Sequence, residues 1–168
     1  MRVVLVLVMS LIALSCNPFA PGLDTSSIDS DSILGDPTTV DGIFQNFRYA
    51  YTFRDTTIYG QLLNTEFVFV YRDYDRGVDI SWGRDEELRT TNGLFQNVQR
   101  LDLVWNDIIS QSIDSMNTAA SINRNFNLTV TFNPSDIVSV FVYASMTLAR
   151  RQSDEPLTVM RWRDVSNF

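Results

Sequence analysis

Residues 36–72, DPTTVDGIFQNFRYAYTFRDTTIYGQLLNTEFVFVYR, decide the fold, because two helical periods run straight into a strand. Asp36 suits an N-cap and Pro37 the first helical position, whose N–H has no partner in any case. Val40, Ile43, Phe44, Phe47, Ala50 and Tyr51 then recur at helical spacing, predicting an amphipathic helix to about Arg54. Asp55-Thr56 restarts a shorter helix with Ile58, Tyr59, Leu62 and Leu63 on one face. Residues 66–72 (EFVFVYR) are β-branched and aromatic on both faces, as in a strand covered on both sides.

Working outward, residues 73–77 (DYDRG) read as a turn and 78–82 as a returning strand. Residues 83–95 look helical, with Leu88, Thr91 and Phe95 on the buried side. Strict alternation follows: Leu101, Leu103 and Trp105 oppose Arg100, Asp102 and Asn106, and Phe126, Leu128, Val130 and Phe132 oppose Asn127, Thr129 and Thr131. Residues 136–151 form a long strand and 157–164 close the sheet; residues 107–124 read as a polar loop with a helical turn near 113–116. This order predicts an α+β domain, a curved antiparallel sheet of five or six strands wrapped around N-terminal helices.

Upstream, residues 1–15 have one Arg, an apolar run and then small residues, the pattern of an export signal too short to span a bilayer comfortably. Residues 16–35 are rich in Pro, Gly, Ser and Asp and read as a flexible tether, or as a tail of no consequence. Residues 36–168 are expected to form a single domain.

Of 168 residues, 45% are hydrophobic and 12% aromatic, ample for a core. The lone Cys16 has nothing to pair with, so the domain stands on packing alone. All 13 basic residues are Arg and the net charge is −7, with no basic stripe to follow a phosphate backbone, which speaks against nucleic acid. With no His and no Lys, Ser-His-Asp and Cys-His chemistry, His-ligated metal and Lys Schiff bases are excluded. No metal or cofactor is expected; any enzyme here works with Asp, Glu, Tyr or Arg.

Two resemblances add to this reading. Ala13-Leu14-Ser15-Cys16 resembles the lipobox of bacterial lipoproteins, with Ala where Leu is commoner. It implies cleavage before Cys16, acylation of Cys16 and a place in the bacterial cell envelope; Asn17 rather than Asp after the cysteine points to the outer membrane. An ordinary secreted signal is the alternative. From Phe47-Arg48-Tyr49-Ala50-Tyr51, the Arg54-Asp55 junction, residues 59–69 and Arg161-Trp162-Arg163-Asp164, the domain resembles the nuclear-transport-factor-2-like superfamily, which includes SnoaL-like cyclases and ketosteroid isomerases. With the lipobox and Trp82-Gly83-Arg84-Asp85-Glu86-Glu87, the whole looks like exported lipoproteins of Gram-negative bacteria. The resemblance implies a cone with a hollow between the opening helix and the concave sheet. The isomerases' catalytic carboxylate would fall at about Tyr71, a phenol here, with Asp73 two residues on in a turn. Dehydratase relatives use a histidine that this chain lacks.

The residues most able to line a hollow are Tyr49, Tyr51, Tyr71, Trp82, Trp105, Tyr143 and Trp162. The simpler alternative is that they fill the cone, leaving at most a small apolar pocket near its open end, edged by Tyr or Trp and without a buried Asp or Glu. Asp73, Asp75 and Asp79 offer no complete calcium frame and read as a solvated turn. The acidic run of residues 84–87 is explained by stabilisation of a helix start, or else forms a patch for a partner protein. Arg161 and Arg163 alternate and are expected to pair with carboxylates across the sheet.

Two functions fit. One is a non-catalytic envelope module, held to the membrane through Cys16, that binds a small apolar ligand or an envelope protein and pairs with a second copy through the outer sheet face. The other is a small His-free acid–base enzyme, isomerase or hydrolase-like, with its site in the cone. A cavity with a desolvated carboxylate facing a tyrosine would put the enzyme first.

Overall fold

The structure is a computed structural model that describes residues 33–166. The stretch expected to be an export signal, Cys16 and the stretch expected to be a tether, up to residue 32, lie outside the described residues. Among the described residues three helices, α1 (Val40–Phe53), α2 (Thr56–Leu62) and α3 (Arg84–Asn97), pack on six strands. The strands are β1 (Leu63–Asp73), β2 (Val78–Gly83), β3 (Arg100–Ile113), β4 (Ala119–Asn133), β5 (Asp136–Ala149) and β6 (Thr158–Asp164). They form one curved sheet in the order β2-β1-β6-β5-β4-β3. Every neighbouring pair is antiparallel except β1 and β6, which run parallel.

Helix α1 begins later than Asp36-Pro37 suggests. Asp36 instead accepts hydrogen bonds from the N–H and hydroxyl of Thr38, forming a local turn, and Thr39 caps the helix by accepting from the Gly42 N–H. Gly42 is required there: a Cβ would stand 1.8 Å from the Asp36 carbonyl oxygen. Gly35 exchanges two hydrogen bonds with the Asn46 side chain, which fasten the chain just before α1 onto that helix. At the other end Arg54 adopts the left-handed conformation (φ 55°) and its guanidinium donates to the Val98 carbonyl. Asp55 caps α2 by accepting from Thr57 and Ile58.

The segment expected as a loop is strand. Strand β3 continues through Ile113 and pairs with β4 from Ala120 onward, and the reversal is confined to residues 114–118. Asp114 holds that reversal, accepting from the N–H groups of Thr118 and Ala119 and from the Thr118 hydroxyl. Two register shifts, between Trp105 and Ser110, break the period-two pattern. As the edge strand, β3 also tolerates the polar composition that reads as loop.

The core lies between the concave sheet face and the helices. Phe47 is at its centre, fully buried, with its ring edge-on to Tyr59, Trp105 and Trp162 at 5.9, 6.1 and 5.8 Å between centroids. Strand β1 is not covered on both sides throughout: Phe67 and Val70 are buried, but Val68 on the outer face is 39% exposed.

Candidate functional site

A cavity of about 230 Å³ opens between α3 and the concave sheet, walled by Phe69, Trp82, Phe126, Leu128, Val142 and Trp162, with Tyr51, Leu94, Thr90, Thr91, Glu87 and Asp164 completing it. The sheet register places these groups together. Phe126 is paired with Val142, Leu128 with Val140, and Phe69 with both Trp82 and Trp162. The Trp82 ring stacks on Phe69 at 4.5 Å with 19° between planes.

Glu87 lines this cavity and corrects the expectation that the pocket holds no buried acid. It is only 7% exposed, and its neutral donors are arranged around both oxygens. Oε1 accepts from the Tyr59 hydroxyl at 2.6 Å and the Thr91 hydroxyl at 3.1 Å, while Oε2 accepts from the Trp82 indole N–H at 2.6 Å. Its place in the first turn of α3 adds the fractional positive charge of a helix N-terminus. The acidic run is therefore split. Glu86 pairs with Arg89 on the surface, whereas Glu87 points inward and has a part that helix capping alone does not describe. The buried stripe of α3 is Glu87, Thr91 and Phe95, one residue per turn. That spacing was the available signal: a buried Thr91 and Phe95 imply a buried residue at 87.

Burial raises the Tyr59 phenol well above its ordinary range, and the neighbouring Tyr51 and Glu87 push the same way. The Tyr51 phenol is raised too, first by burial and then by the Glu87 charge, while a hydrogen bond with Tyr59 opposes both. Both phenols are thus protonated donors over the ordinary pH range.

Of the residues singled out in the sequence, Tyr51, Trp82 and Trp162 line this cavity. Trp105 lies behind Trp162, 6.4 Å between centroids, packed against Phe44 and Phe126 in the core. Tyr71 lines a separate polar hollow of about 250 Å³ with Asp73, Asp75 and Asp164. Tyr49 sits against Phe53, and Tyr143, 42% exposed, sits against Phe141. The register puts Tyr143, Phe141 and Val104 together on the outer face, away from the cavity. A larger hollow, about 680 Å³, lies outside the ring cluster, between residues 34–37, α1, α2 and Pro156-Leu157, so the cone pocket is not the largest space on the domain.

On the outer face Asp79 bridges Arg72 and Arg163 at 3.1 and 3.0 Å, and these guanidiniums, Arg163 first, hold its carboxyl below the usual range. Asp73 engages Arg76. Among the described residues no group of three or more acidic or cysteine side chains is placed to hold a metal ion, and no helix is long and apolar enough to cross a membrane.

The helices crossing the concave face of a six-stranded sheet are shared with solved structures. A conserved protein from Planctomyces limnophilus aligns with a TM-score of 0.63 at 14% identity, covering 74% of this chain and 90% of that one. A candidate scytalone dehydratase from Novosphingobium aromaticivorans aligns at 0.64 and 12% identity, over 77% of this chain and 82% of that one. A candidate dehydratase of the nuclear-transport-factor-2-like family from Streptomyces avermitilis aligns at 0.60 and 17% identity, over 74% and 91%. The fold is the nuclear-transport-factor-2-like cone. At these identities the likeness is one of fold, and a fold of this kind hosts unrelated functions. The sequence matches no protein-family model and no curated protein. In this nuclear-transport-factor-2-like cone the hollow implied by the resemblance is mostly occupied by Phe47, Trp105 and Trp162, and the Glu87 cavity is what remains of it.

Proposed function

We propose that the protein is a lipid-anchored module of the bacterial outer membrane that binds a small, flat molecule in the Glu87 cavity without transforming it. The observation that carries the reading is the buried, hydrogen-bonded Glu87 carboxylate set into a wall made mainly of aromatic and aliphatic side chains. Sites of this composition bind through apolar contact and orient their ligand through a few polar groups. At about 230 Å³ the space suits a ligand smaller than drug size, for which pockets begin at about 300 Å³. Attachment through Cys16 rests on the lipobox resemblance. Pairing of two copies through the outer sheet face is part of the proposal, supported by the exposure of Val104, Phe141 and Tyr143.

The buried Glu87 carboxylate against Tyr59 has the composition that would put an acid–base enzyme first, but not the access that such an enzyme needs, so catalysis stands as the second reading. Access is what keeps binding ahead. A general base must reach the substrate proton, and both Glu87 oxygens are already engaged by protein donors. The Tyr59 hydroxyl, buried and donating to Glu87, cannot reach a ligand as an acid.

Calorimetric titration of the full chain with indole, a neutral aromatic with one N–H donor, tests the binding reading. Saturable binding that is lost in Leu128→Trp, which fills the cavity, supports it; identical titrations of the two proteins refute it. Recovery of a bound ligand in chemically altered form would place the enzyme first. Anchoring is tested separately: Cys16→Ala should release the protein from membranes and abolish palmitate labelling, and unchanged labelling refutes it. A monomer in sedimentation removes the paired form.

A further inference from the structure

We propose that the natural ligand of the Glu87 cavity is an organic ammonium cation, held between aromatic faces and two carboxylates. The inference rests on the cavity being a ligand site, as proposed above, and it adds the ligand's charge.

The cavity is one-sided in charge. Glu87 and Asp164 both line it and no arginine does, in a chain that has no Lys and no His. Neither carboxylate is in an ion pair among the described residues. Glu87 accepts only from neutral groups, the Tyr59 and Thr91 hydroxyls and the Trp82 indole, and Asp164 accepts from the Ser166 N–H. Among the described residues every Arg–carboxylate pair lies elsewhere, toward the surface. A carboxylate withdrawn from water without a countercharge is unfavourable. The helix start beside Glu87 supplies about half an elementary charge. A bound cation would supply the rest, whereas a neutral ligand would leave the deficit and an anion would enlarge it.

The walls are suited to the same class of ligand. Aromatic faces carry negative potential and attract a cation within about 6 Å of the ring centroid, most strongly for Trp. Trp82 and Trp162 both line the cavity, joined by Phe69, whose ring stacks on Trp82 and lies 6.1 Å from Trp162. A methylated or alkylated ammonium gains both from these faces and from its own apolar groups, which a strongly hydrated metal ion does not. The full chain's net charge of −7 raises the local concentration of cations around the protein.

Choline and its uncharged carbon isostere 3,3-dimethyl-1-butanol separate charge from shape. Titrated into the full chain by calorimetry, choline should bind at least tenfold more tightly than the isostere. Glu87→Gln and Asp164→Asn, which keep the shape and remove a charge, should each weaken choline at least threefold while leaving the isostere unchanged. Asp164 is partly exposed, so its variant decides the matter if Glu87→Gln fails to fold. Equal binding of choline and the isostere, or choline binding unaffected by the folded variants, overturns the ammonium assignment. If indole binds and choline does not, the ammonium assignment fails while the cavity remains a ligand site. If indole, choline and the isostere all fail to bind, both fall.

Discussion

The hydroxyl of Tyr59 donates to Glu87 at 2.6 Å across 28 residues of sequence, and this bond fastens the second helix to the third. Both partners are buried, so the bond matters more when broken than when made. Tyr59→Phe keeps the ring packing and removes one of the three donors to a buried carboxylate. It should destabilise the domain by about 1–3 kcal/mol in urea unfolding. An unchanged midpoint would mean that Glu87 finds another donor or that the network is slack.

Phe47 meets three aromatic rings from α2, β3 and β6, so its loss opens a void where no single element can collapse to fill it. Phe47→Ala should cost about 3–5 kcal/mol, read from the same urea curves. Full stability together with loss of a bound ligand would instead make Phe47 a wall of the site.

Alkaline stability follows from the two buried phenols. Both have folded-state values above the ordinary 10.0, so the folded form keeps its protons where the unfolded form begins to lose them. Their contribution is full below about pH 10 and falls as pH rises beyond it. Tyr51→Phe should therefore flatten the fall in melting temperature above pH 10 relative to the parent protein. Parallel curves would contradict the burial of Tyr51.

At the acid end the β3–β4 reversal behaves in the opposite sense. Hydrogen bonds from Ala119 and Thr118 hold the Asp114 carboxyl below its ordinary 3.8. Its contribution is present above that value and is lost as pH falls through the lower folded value. Asp114→Asn should accelerate amide exchange in the last pairs of β3 and β4 at neutral pH, with the difference from the parent shrinking below pH 3.8. Equal exchange at neutral pH would show that Asn117, in its left-handed conformation (φ 54°), holds the turn by itself.

The helices and most strands were legible because each has one clean period. The stripe of α1 from Ile43 to Tyr51 and the alternation of Leu101 and Leu103 each admit one reading. The end of β3 was not legible, because shifts in register between Trp105 and Ser110 erase the alternation and an edge strand needs no apolar face. Nor does a local pattern reveal that β1 and β6 run parallel, since that pairing joins residues almost a hundred apart. At the site the aromatic composition pointed to Tyr51, Trp82 and Trp162, but it gave Tyr49, Tyr71, Trp105 and Tyr143 the same weight. Glu87 was obscured by its neighbours: in a run of acids at a helix start, charge explains the run and only the helical phase distinguishes the residue that turns inward.

Native mass spectrometry of the full chain purified from its native host tests the central claim most directly. The account predicts an added small-molecule mass on the parent protein and none on Leu128→Trp of equal melting temperature. A parent protein without added mass, or the same mass on both proteins, would contradict it.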